Sequence, residues 1–94
     1  MKNKIEKELL NILKDIVKID TCYPPGSSKL FSNYVKKYLN QSGLKMKSLG
    51  VDKEKINIIA SNHNSSKKSL VFNSHIDTVR PILSEWKSNP YNLK

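Results

Sequence analysis

Three observations predict a mixed α/β fold with element order α-α-β-β-β. Apolar residues recur at helical spacing twice before residue 40, alternating or short continuous apolar runs follow between residues 44 and 72, and Pro24-Pro25-Gly26 breaks the chain between the two helical patterns.

In the first pattern, residues 2–18, Ile5, Leu9, Ile12, Leu13, Ile16 and Val17 fall at three- and four-residue steps with lysines and acids between them, which predicts an amphipathic helix. Residues 19–23 lose that period. Pro24-Pro25-Gly26 then combines two fixed φ angles with a permissive one, so a shaped turn is expected. Ser27 or Ser28 can cap a second helix whose face is Phe31, Tyr34, Val35, Tyr38 and Leu39, with Gly43 as its stop.

Leu44, Met46 and Ser48 alternate with Lys45 and Lys47, predicting a strand to about Leu49. Residues 50–55 read as a charged turn and 56–60 as a second strand. Residues 61–68 are polar and read as a loop, with His63 expected in a surface turn. A third strand is expected at 69–74, where Leu70, Val71 and Phe72 form a run suited to burial on both faces. The tail beyond it, with Pro81, Trp86 and Pro90, has no period; Trp86 is expected to pack it onto the sheet.

Composition narrows the function classes. Hydrophobic residues make up 37% and charged residues 27%, an ordinary soluble balance, and no apolar run approaches the roughly 18 residues of a membrane span. The basic N-terminus leads into Glu6-Lys7-Glu8 instead of the apolar stretch of a signal peptide, so a cytoplasmic location is expected, with no membrane partner. A lone Cys22 cannot form an internal disulfide. It reads as a small packed side chain, with a thiolate ligand as the alternative. The net charge of +9 comes from dispersed lysines and a single arginine, Arg80, which reads as a solvated surface and not a nucleic-acid site. A small basic binding or interaction module is the alternative that this charge keeps open.

One pair carries chemistry. His75 and Asp77 stand two residues apart at the end of the expected third strand, and in an extended segment that spacing puts both side chains on one side. An aspartate there can orient the imidazole and set its tautomer, the support a metal-binding histidine usually has. On spacing alone a turn histidine beside an Asx cap is the favoured reading. His63 cannot join it on one ion, because six strand residues on the way place the two histidines roughly 20 Å apart.

Residues 70–79, Leu-Val-Phe-Asn-Ser-His-Ile-Asp-Thr-Val, resemble the first metal-ligand motif of the M20 metallopeptidases, in particular the acetylornithine deacetylase and succinyl-diaminopimelate desuccinylase group. Residues 13–21 with Pro24-Pro25-Gly26 are similar to that family's N-terminal segment, 56–60 to its second strand, and 86–91 to its downstream tryptophan segment. Ser74 stands where glycine is common, and Tyr23 and Ser27-Ser28 replace more usual residues around the turn.

The resemblance implies that residues 1–94 are a truncated N-terminal portion of a zinc-peptidase-like α/β/α catalytic domain, without the dimerisation domain. By position, His75 becomes a ligand of one of two zinc ions, with cobalt as an alternative metal, and Asp77 the catalytic residue that orients its imidazole. The complete enzyme would hydrolyse N-acyl amino acids or small peptides. The family's bridging aspartate, general-base glutamate, further acidic ligand and distal histidine have no matched positions here. The expectation is therefore a chain inactive alone, with a second polypeptide as the candidate source of the rest of the domain.

Overall fold

The computed structural model describes residues 2–62 and 67–94. It is mixed α/β, with two helices followed by a two-stranded antiparallel sheet. Helix α1 (Lys2–Val17) follows its expected period, and α2 (Lys29–Leu39) begins after the Pro-Pro-Gly turn. α2 ends at Leu39, earlier than Gly43; that glycine instead supplies the positive φ of 78° in the turn leading to the sheet. Two hydroxyls tie the helices together: Tyr34 donates to Asp15 Oδ2 at 2.9 Å and Tyr38 to Glu8 Oε1 at 2.5 Å. The two tyrosine rings stack, with centroids 6.1 Å apart.

Strand β1 (Lys45–Asp52) pairs with β2 (Lys55–Ser61), Lys45 opposite Ser61 and Leu49 opposite Asn57. Both strands are longer than the alternation indicated, because the register shifts between Leu49 and Asp52 and carries the ladder into the turn. Gly50 sits in that irregularity, where a Cβ would come within 2.4 Å of the Lys55 carbonyl oxygen.

Ser28 occupies the N-cap position of α2 but makes no side-chain cap. Its hydroxyl accepts from the Ile56 amide at 2.6 Å and donates to the Ile56 carbonyl at 2.9 Å, while its own amide donates to the Glu54 carbonyl at 2.8 Å. The cap is given up to fasten α2 onto β2, whose backbone would otherwise lack partners there.

Among the described residues the expected third strand does not form, so the order is α-α-β-β, followed by a short 3₁₀ turn at Leu83–Glu85. A strand exists through its ladder, and no ladder pairs residues 69–74 with either edge of β1–β2. The apolar run meant for burial is open to solvent, with Leu70 83% and Phe72 90% exposed. The core is correspondingly thin. Among the described residues the buried set is Thr21, Cys22, Ser28 and Ser32, while Ile5, Leu9, Leu10 and Leu13 of α1 remain exposed. The radius of gyration, 15.7 Å, exceeds the value of about 12 Å expected for a closed domain of this length. No helix among the described residues is long and apolar enough to cross a membrane.

Candidate functional site

The site is built where the loop after α1 meets the segment after residue 75. Thr78 forms a parallel bridge with Cys22: the Thr78 amide donates to the Thr21 carbonyl at 3.2 Å and the Tyr23 amide to the Thr78 carbonyl at 3.0 Å. The Thr21 hydroxyl adds a bond to the Ile76 carbonyl at 3.1 Å, and the Arg80 guanidinium donates to the Pro24 carbonyl at 2.5 Å. Two main-chain and two side-chain bonds thus join residues 20–25 to 76–80 on the flank of His75 and Asp77. Asp20 rigidifies that loop by accepting from the Cys22 amide at 2.9 Å, and this bond, with Arg80 a smaller influence, holds its carboxyl below the usual carboxylate range.

His75 and Asp77 meet, as their spacing predicts. Nδ1 of His75 lies 2.8 Å from the Asp77 main-chain oxygen and 3.3 Å from Asp77 Oδ1. A carbonyl oxygen only accepts, so Nδ1 carries the proton in that bond and the neutral ring keeps its lone pair on Nε2. The imidazole is 82% exposed, which leaves Nε2 open to a ligand from solution. The pair stands in an unladdered segment at the surface, not at the end of a buried strand.

Cys22 is the buried counterpart, 3% exposed. Its Sγ lies 3.4 Å from Thr78 Oγ1, 3.5 Å from the Tyr91 hydroxyl and 3.6 Å from the Val79 carbonyl oxygen. Its hydrogen bond with the Tyr91 hydroxyl is the first cause that pushes that phenol above its ordinary range. The thiol packs as part of the loop's seam. Cys22 and His75 both line a cavity of about 430 Å³ with Ile16, Phe31 and Trp86. Trp86, expected against the sheet, faces this cavity and is 52% exposed. Among the described residues, no three His, Cys, Asp or Glu side chains gather as a metal would require. His63, expected in a surface turn, lies outside the described residues.

No family model, curated protein or solved structure matches this chain.

Reasoning from sequence alone did not single out Thr21, Thr78 and Arg80, which position the pair. A signal was present in Thr78-Val79, two β-branched residues after the histidine, which suit a short stretch of backbone pairing. Nothing local points to Thr21 as the partner, because the bond spans more than 50 residues of chain.

Proposed function

We propose that residues 1–94 are the N-terminal portion of a zinc-dependent amidohydrolase catalytic domain of the M20 type, acting on N-acyl amino acids or small peptides in the cytoplasm. His75 contributes one metal ligand through Nε2, and Asp77 holds the ring. The observation that carries the reading is the 2.8 Å contact between His75 Nδ1 and the Asp77 carbonyl, which leaves Nε2 as the free, exposed donor. The seam between residues 20–25 and 76–80 supports it further, since it joins two stretches on which the family resemblance rests.

A complete zinc site takes about three or four protein ligands, and the described residues assemble one imidazole. They fit one arm of such a site and not a whole one, so the chain by itself turns over no substrate. Zinc titration followed by ¹⁵N NMR of the imidazoles tests the assignment. Weak binding that perturbs His75 Nε2 and vanishes in His75→Ala is expected, and an unperturbed His75 at millimolar zinc would overturn it. Turnover of N-acetyl amino acids by the purified chain with zinc or cobalt, lost in His75→Ala, would overturn the one-ligand account.

A further inference from the structure

Asp77 is flanked by two peptide planes, and Thr21 bonds to both. Its hydroxyl donates to the Ile76 carbonyl at 3.1 Å, which holds the plane before Asp77, and its main-chain oxygen accepts from the Thr78 amide at 3.2 Å, which holds the plane after it. The planes meet at the Asp77 Cα, so fixing both fixes the two soft dihedrals of that residue. In a trans peptide the carbonyl and the N–H point opposite ways. With the Thr78 N–H turned to Thr21, the Asp77 carbonyl of the same trans plane is turned away from it, and His75 Nδ1 stands there at 2.8 Å. Thr21 is itself well fixed. It is 5% exposed, and the Tyr23 amide adds a third tie across the seam by donating to the Thr78 carbonyl at 3.0 Å.

We infer that Thr21 is the positioning residue of His75: by gripping both peptide planes of Asp77 it aims the Asp77 carbonyl at Nδ1, keeps the ring proton there and presents Nε2 as the lone-pair donor. The bonds run in series through one amide, from His75 Nδ1–H to the Asp77 carbonyl and from the Thr78 N–H to the Thr21 carbonyl. Bonds linked in this way polarise one another, so the Asp77 oxygen accepts more strongly. The imidazole is 82% exposed, so packing does little to orient it and the backbone bond does the more. The Asp77 carboxylate stands farther from Nδ1, at 3.3 Å, on a side chain 58% exposed. The inference rests on the hydrolase reading only for the use made of Nε2, since the tautomer belongs to the metal-free chain.

The test reads the tautomer of His75 in the metal-free chain from long-range ¹H–¹⁵N correlations of the neutral ring. One neutral hydrogen bond shifts an equilibrium by about two- to tenfold, so the ratio of Nδ1–H to Nε2–H should fall by about that factor in Thr21→Val, which exchanges the hydroxyl for a methyl. Thr21→Ser keeps the hydroxyl and should match the parent. Thr78→Val is the control. It removes the hydroxyl 3.4 Å from Cys22 Sγ in the same seam and leaves the backbone bonds, so the ratio should stay as in the parent. Zinc takes the Nε2 lone pair, so its apparent affinity should fall in step with the Nδ1–H fraction.

An unmoved ratio in Thr21→Val, an equal fall in Thr78→Val, or no recovery in Thr21→Ser would overturn the role of Thr21. Should Thr21→Val fail to fold, couplings across the hydrogen bonds of the unmutated chain decide. Couplings from His75 Nδ1 to the Asp77 carbonyl carbon and from the Thr78 nitrogen to the Thr21 carbonyl carbon are both expected, and the absence of either overturns it. A ratio that falls in Thr21→Val while His75 ignores zinc removes only the hydrolase reading. A zinc response at Nε2 with an unmoved ratio removes only the role of Thr21.

Discussion

His75 Nδ1 lies closer to the Asp77 main-chain oxygen, at 2.8 Å, than to the Asp77 carboxylate, at 3.3 Å. The backbone therefore takes the shorter contact, and the carboxylate stands beside it. Asp77→Ala should leave the Nδ1-protonated tautomer in place at neutral pH, read from long-range ¹H–¹⁵N correlations of the imidazole. A switch to the Nε2-protonated form would show that the carboxylate, and not the carbonyl, sets the ring.

Ser28→Ala should destabilise the chain by about 1–3 kcal/mol, since one hydroxyl serves both the amide and the carbonyl of Ile56. Urea denaturation gives the number. Ser28→Asp, which could cap α2 as Ser28 does not but cannot donate to the Ile56 carbonyl, should recover only part of it; full recovery would mean that a cap can replace the tie to β2.

Ser32 is fully buried on α2, and its hydroxyl has no hydrogen-bond partner among the described residues. Ser32→Ala should be neutral or stabilising by up to about 1 kcal/mol, because it removes a desolvated polar group without opening a cavity. Ser32→Leu should cost about 1–3 kcal/mol by overpacking the site. Thermal melts of both variants check the sign, and a clear loss in Ser32→Ala would reveal a hydroxyl partner.

Stability should fall at both ends of the pH range for separate reasons. Asp20 has its carboxyl lowered, first by the Cys22 amide, so its contribution is complete above the ordinary value of 3.8 and fades as pH drops through the lowered one. Tyr38 is raised first by its bond to Glu8, and Tyr34 first by burial and then by Asp15; their contributions are complete below pH 10.0 and fade as pH rises through the raised values. Melting temperature against pH should show a shallower acid limb in Asp20→Asn and a shallower alkaline limb in Tyr34→Phe/Tyr38→Phe. Unchanged limbs would remove these groups from the account.

The elements legible in the sequence are those whose stabilising contacts are local. The three- and four-residue steps from Ile5 to Val17 define α1, and Phe31 to Leu39 define α2, because helix bonds close within four residues. Alternation around Met46 and Ile58 defines the hairpin, whose strands are close in sequence. The spacing of His75 and Asp77 likewise brings them together without help from elsewhere in the chain.

Tertiary structure alone decided what depends on distant partners. Leu70-Val71-Phe72 has the composition of a buried strand, but composition cannot supply a ladder, and the run stays exposed without one. Ser28 reads as a cap and becomes the tie to Ile56, because a hydroxyl has few bonds to make and the edge of β2 claims them. Thr21 and Thr78 look unremarkable apart, yet their bonds place His75 and Asp77 beside the loop after α1. Local periodicity sets which elements can form; the pairing of remote backbone groups sets where the chemistry stands.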